Sequence, residues 1–100
     1  MSLHIATSHG CIQIQGDMTV YSAAELKPAL LSALPVASEV ERLDLAGVGE
    51  FDCAGLQLLL ASLRRASADG TPLRIVAASA AVREVLKLCG RTDLLAEVAP

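Results

Sequence analysis

Residues 42–66, RLDLAGVGEFDCAGLQLLLASLRRA, constrain this chain more than any other stretch. The run Arg42-Leu43-Asp44-Leu45-Ala46 reads as a short central strand, Gly47-Val48-Gly49-Glu50 as a loop, and the segment from about Cys53 to Ala68 as a helix. Asp52 is placed to cap that helix, because a carboxylate there accepts from the free backbone N–H groups of the first turn. Phe51 and Leu56 occupy the two positions of a hydrophobic staple, which sets the angle at which the chain joins the helix. A polar helix start is thus expected at the end of a core strand, in a place suited to presenting one small side chain.

The flanking segments supply the rest of an α/β pattern. Leu3-Ile5-Thr7 and Cys11-Ile12-Ile14 alternate around Ser8-His9-Gly10, which predicts a hairpin, with Gly16-Asp17 ending its second strand. Ser22-Ala23-Ala24-Glu25 matches a capping box with Tyr21 and Leu26 at staple positions, and Leu26, Leu30, Ala33 and Leu34 follow at helical spacing. Pro28 lies too deep for the favoured first-turn position, so a kink or a later start is expected; Pro35 closes this first helix. In the second helix, Leu56, Leu59, Leu60 and Leu63 form the expected buried stripe, with Gln57, Arg64 and Arg65 toward solvent. Asp69-Gly70-Thr71-Pro72 stops it, Gly70 being suited to a left-handed cap. Leu73 to Ala77 predicts another strand, Ser79 a cap for a third helix over 80–89 with Val82, Val85, Leu86 and Cys89 inward, Gly90 its end, and 92–98 a short helix or strand. Strand–helix–strand units favour parallel pairing. The expectation is a single domain over 1–100: a mixed four-stranded sheet opened by an antiparallel hairpin, with helices mainly on one face.

Composition narrows the function. With 53% apolar residues the chain can fill a core, but it has one Tyr, one Phe and no Trp. Stacked-aromatic binding of single-stranded nucleic acid is not expected on that ground, and the net charge of −3 disfavours a phosphate-backbone binder. No apolar run is long enough to cross a bilayer, and no secretory signal is visible, so direct membrane insertion is not expected. Three widely spaced cysteines, Cys11, Cys53 and Cys89, without CxxC spacing suggest a reduced, cytoplasmic protein. Two histidines and three scattered cysteines reproduce no metal-ligand spacing, and Gly47-Val48-Gly49 lacks the rest of a nucleotide-binding motif. No metal, cofactor or catalytic residue is therefore assigned. Arg64, Arg65, Arg83 and Lys87 read as solvated helix faces.

Three stretches together resemble the STAS domain, the fold of bacterial anti-sigma-factor antagonists. LDLAGVGEFDCAGLQLLLASLRRA resembles the family's strand–loop–helix signature with its Asp-Ser/Thr-Ser/Ala-Gly-Leu motif; GDMTVYSAAELKPAL is similar to the stretch before the first helix in a subgroup of small STAS proteins; VREVLKLCGRTDLLAEV resembles the last helix and terminal Leu pair. The resemblance implies a non-catalytic module that binds a partner protein and is switched, in many members, by phosphorylation of the Ser or Thr after the signature Asp. In the sigma-factor system the unphosphorylated form binds an anti-sigma kinase and frees a sigma factor. Here Cys53 stands at that position and lacks the acceptor hydroxyl.

The implied docking surface comprises Gly49, Glu50, Phe51, Asp52, Cys53, Ala54, Gly55 and Gln57. Gly55 is expected to permit close approach of a partner or a neighbouring loop. The partner that the resemblance implies is an anti-sigma kinase-like protein, with transporter subunits and chemotaxis proteins as alternatives, and the resemblance leaves a homodimer open. The alternative functions are a structural subunit of a lipid-transport or chemotaxis assembly, toward which the Tyr21–Leu26 stretch leans, and a thiol-based redox sensor at Cys53. For the sensor, the helix dipole and the Asp52 carboxylate act on the sulfur in opposite senses, so no strongly reactive thiolate follows. Ser22 as an alternative phosphoacceptor is outweighed by its capping context.

Overall fold

The computed structural model of the chain describes residues 4–8, 10–22, 24, 25, 27–29, 42–68, 70, 73–96 and 98. Four strands form one sheet in the order β1-β2-β3-β4: β1 His4–Ser8, β2 Cys11–Met18, β3 Arg42–Phe51 and β4 Arg74–Ala78. β1 and β2 pair antiparallel, whereas β2–β3 and β3–β4 are parallel. The hairpin closes through Gly10 at φ 76, a left-handed conformation that a residue without Cβ adopts freely. Helix α1, Cys53–Ala68, is the second of the three helices expected from the sequence; α2, Ala80–Leu88, is the third. A 3-10 turn, Thr92–Leu95, follows. Of the first expected helix, residues 24, 25 and 27–29 are helical, Pro28 among them; Leu26, Leu30, Ala33, Leu34 and Pro35 lie outside the described residues, as do Leu3 and His9 of the opening hairpin.

The core explains why the helices gather on one face of the sheet. Ile12, Ile14 and Met18 of β2, Leu43, Leu45, Val48 and Phe51 of β3, and Ile75 of β4 are buried together with Leu56, Leu58 and Leu59 of α1 and Val82 and Leu86 of α2. Each such side chain contributes roughly 1.5–3 kcal/mol by leaving water. Gln13 and Gln15, on the alternate positions of β2, remain exposed. In α1, Leu58 is buried while Leu60 and Leu63 are only partly so, which turns the stripe slightly from its expected position; Gln57, Arg64 and Arg65 are exposed.

Both parallel strands run further than their sequences suggest. β2 continues through Gly16 and Asp17 to Met18, and β3 continues through Gly47-Val48-Gly49-Glu50 to Phe51. The expected end at Gly16-Asp17 and the expected loop over 47–50 are thus corrected to strand. Register shifts between Gln13 and Gln15 and between Gly16 and Met18 let the ladder continue, with Gly16 opposite Val48 and Met18 opposite Phe51. Such irregularities break the two-residue alternation: the buried positions of β3 fall at 43, 45, 48 and 51.

Helix ends follow their chemistry. Ser79 caps α2, its Oγ accepting from the Val82 N–H at 3.3 Å. At the other end Arg91 N–H donates to Leu86 O at 2.8 Å and Gly90 N–H to Lys87 O at 3.2 Å, with Gly90 at φ 70: a Schellman arrangement. Cys89, expected inward, caps this end and is exposed, because the helix finishes at Leu88 and the chain turns away. Gly70 takes the left-handed conformation expected after α1.

Candidate functional site

The site lies where β2 and β3 end side by side and α1 begins. Asp52 follows β3 directly and its carboxylate binds in two directions. Oδ1 accepts from the Ala54 and Gly55 N–H groups at 2.9 and 3.1 Å, capping α1, and Oδ2 accepts from the Val20 N–H at 3.0 Å. The Asp52 N–H donates to Met18 O at 3.3 Å, so backbone and side chain both tie this residue to the end of β2. Asp17 makes a matching bond across the strands, its Oδ1 accepting from Glu50 N–H at 2.9 Å. Burial pushes the Asp52 carboxyl upward, but the N–H donors of Val20, Gly55 and Ala54 outweigh it and hold the group below the usual carboxylate range.

The 17–22 turn is itself braced by Ser22. The Ser22 hydroxyl donates to Asp17 O at 2.7 Å and accepts from Thr19 N–H at 2.9 Å. Tyr21 N–H donates to Thr19 Oγ1 at 3.3 Å. The expected capping box is thus replaced by a tighter device: the hydroxyl reaches backward into the turn that precedes the helix. A half-buried hydroxyl with these partners has a structural role.

Gly55 meets its neighbour within the chain. A Cβ at this position would press into the Met18 carbonyl, whose carbon would lie 3.0 Å away, with the Met18 Cβ at 3.1 Å. α1 starts this close to β2 because residue 55 has no side chain.

The residues expected to form a docking surface therefore divide. Gly49, Glu50, Cys53 and Gln57 are exposed, Asp52 and Ala54 half-buried, and Phe51 and Gly55 buried. Gly55 supports the turn from beneath; Phe51 supports it too and shows only a small part of its ring to solvent. The structure adds two exposed neighbours, Val20 at 63% and Tyr21 at 95% of full exposure, held beside α1 by Asp52. Tyr21 was legible as a staple position and as part of the resembling 21–26 stretch, not as an exposed neighbour of α1, and the bond from Val20 to Asp52 spans 32 residues, so no local pattern signals it. An open groove of about 430 Å³ runs between this turn and α2, with Tyr21, Phe51, Asp52 and Val85 among its walls.

Cys53 begins α1 as an exposed, free thiol. His4 lies on β1, separated from β3 by β2 in the sheet. Among the described residues no three His, Cys, Asp or Glu side chains gather as a metal site, and no helix is long and apolar enough to cross a membrane. Cys11 is half-buried, and burial together with the Asp44 carboxylate pushes its thiol up against the opposing influence of Arg42. Arg83 donates through Nε to Ala78 O at 3.1 Å, while Arg64, Arg65 and Lys87 are exposed.

A family model described as "Mlab, STAS domain" matches residues 1–96. The chain belongs to the STAS-domain family. Its fold is also that of solved anti-sigma factor antagonists. An anti-sigma factor antagonist from Mycobacterium paratuberculosis superposes with a TM-score of 0.73 at 22% identity, covering 99% of this chain and 85% of that one. The anti-sigma factor antagonist SpoIIAA in its unphosphorylated form gives 0.71 at 14% identity, over 98% and 86% of the two chains. The Bacillus cell fate determinant SpoIIAA in its phosphorylated form gives 0.65 at 14% identity, over 98% and 89%. At these identities the likeness is one of fold, and the mixed sheet with its antiparallel opening pair accords with it.

Proposed function

We propose that this STAS domain is a non-catalytic regulatory module that docks a partner protein through the end of β3 and the first turn of α1. The observation that carries the reading is the double use of Asp52: one carboxylate caps α1 and fastens the Val20–Tyr21 turn against it. Two exposed segments, far apart in sequence, are thereby held as one surface. Gly49, Glu50, Cys53 and Gln57 face the partner, Asp52 and Ala54 shape the turn, and Phe51 and Gly55 support it from below. A small apolar patch with a polar rim suits a regulatory contact. Anti-sigma kinase-like proteins are the first partner class to test, on the strength of the fold shared with anti-sigma factor antagonists.

Binding through this surface is constitutive. Cys53 stands at the phosphoacceptor position of the resembling family and offers sulfur where a Ser/Thr kinase requires a hydroxyl. Incubation with a cognate kinase and ATP leaves the intact mass of the 50–58 segment unchanged; a gain of one phosphate mapped there would overturn this part of the reading. The same missing hydroxyl favours a second reading, a permanent subunit of a larger assembly such as a lipid transporter or a chemosensory array. Co-isolation from the native cell separates the two: an anti-sigma kinase supports the first, an ATPase subunit or a chemotaxis protein the second.

A further inference from the structure

The chain has only two aromatic residues, Tyr21 and Phe51, and both line the groove beside the Asp52 turn. Phe51 is 7% exposed and makes a fixed floor, whereas Tyr21 stands almost wholly in solvent. A rigid aromatic left unpacked at the edge of an apolar depression is the kind of side chain that anchors protein interfaces. Ala81, Glu84 and Val85 of α2 form the facing wall. Positions 81, 85 and 88 share one helical face, and Leu88 is 80% exposed. The apolar strip therefore runs for about 10 Å along α2, from Ala81 in the groove wall to Leu88 beyond it, at 1.5 Å per residue. That length matches about two turns of a helix laid against it.

The rim carries charge of one sign. Glu50, Asp52 and Glu84 line the groove, and among the described residues no Lys or Arg does. Asp52 is engaged by three backbone N–H groups, so the exposed Glu50 and Glu84 supply the charge open to a partner. Arg83, the adjacent cation of α2, points its Nε to the Ala78 carbonyl.

We propose that this groove receives a cationic amphipathic helix of the partner protein. Its apolar residues lie on Phe51, Val85 and Leu88, Tyr21 closes over them, and its Lys or Arg side chains meet Glu50 and Glu84. The proposal rests on the docking reading above and adds the chemistry of the partner. An acidic segment of the same shape is repelled, since like charges at a low-dielectric rim are costly.

Two synthetic helical peptides with the same Leu/Ala face, one flanked by Lys and Arg and the other by Glu, separate these cases when titrated into isotope-labelled protein. The basic peptide shifts the amide resonances of residues 19–21, 49–52 and 81–88, and its affinity falls several-fold as salt is raised. The acidic peptide shifts none of them. The double variant E50K/E84K, both changes on exposed side chains, reverses the preference. Equal binding of the two peptides, binding of neither, or shifts confined to another surface would overturn the proposal. The native complex distinguishes it from the docking reading. If E50K/E84K leaves that complex intact while Cys53→Glu abolishes it, the cationic helix is wrong and docking at α1 stands; if neither variant weakens it, both fall.

Discussion

Asp52 satisfies three backbone N–H groups with one side chain, two in its own helix and one in a turn 32 residues earlier. Asp52→Ala leaves all three without that acceptor, and a loss of about 1–2 kcal/mol is expected in urea unfolding. The loss has a defined pH dependence. The folded-state pKa lies below the unfolded value, so Asp52 contributes in full above about pH 4 and the contribution fades as pH falls through the folded pKa. The stability difference between wild type and Asp52→Ala therefore narrows on acidification. Asp93, also held low by Arg91, is present in both proteins and cancels from the comparison. A difference that stays constant down to low pH would show that the carboxylate's charge has no part in holding the turn. Asp52 as a cap was legible from its neighbours, since capping is a local event. Its second bond was not, because it depends on the sheet bringing residue 20 beside residue 52.

The packing of α1 onto β2 depends on a missing side chain. Ala has the higher helix propensity, so on local grounds Gly55→Ala favours α1 by up to about 1 kcal/mol. The Met18 backbone opposes this, because a Cβ can be accommodated only by moving the helix or the strand end. Overpacking against a backbone carbonyl wins, and we expect Gly55→Ala to lower stability by about 2 kcal/mol, read from the urea midpoint. A stabilised variant would mean that α1 and β2 are not in close contact there. The same pair of elements shows where local pattern misleads. Gly47-Val48-Gly49-Glu50 carries loop chemistry, yet Val48 is buried in β3 opposite Gly16. Two glycine-containing strands that each shift register can remain paired, and neither sequence alone reveals the compensation. By contrast, the hairpin, the Ser79 cap and the ends at Gly70 and Gly90 were readable, since each is decided within a few residues.

On the scale of the molecule, the order of strands and helices was legible because hydrophobic periodicity and turn residues punctuate the chain clearly. The antiparallel first pair and the parallel pairs that follow it accord with that order, whereas the strand order β1-β2-β3-β4 is settled by tertiary packing. The candidate surface was legible only as a neighbourhood. Its centre at Asp52 and Cys53 came from the helix start. That Phe51 and Gly55 are buried, and that Val20 and Tyr21 stand beside them in solvent, depends on tertiary packing. The measurement that tests this account most directly is co-isolation of native partners with wild type and with the double variant Cys53→Glu/Gln57→Arg, which places bulky charges on two exposed positions of the first turns of α1 without touching the core. The account predicts that the variant folds as wild type and loses its partner; a folded variant that retains every native association would contradict it.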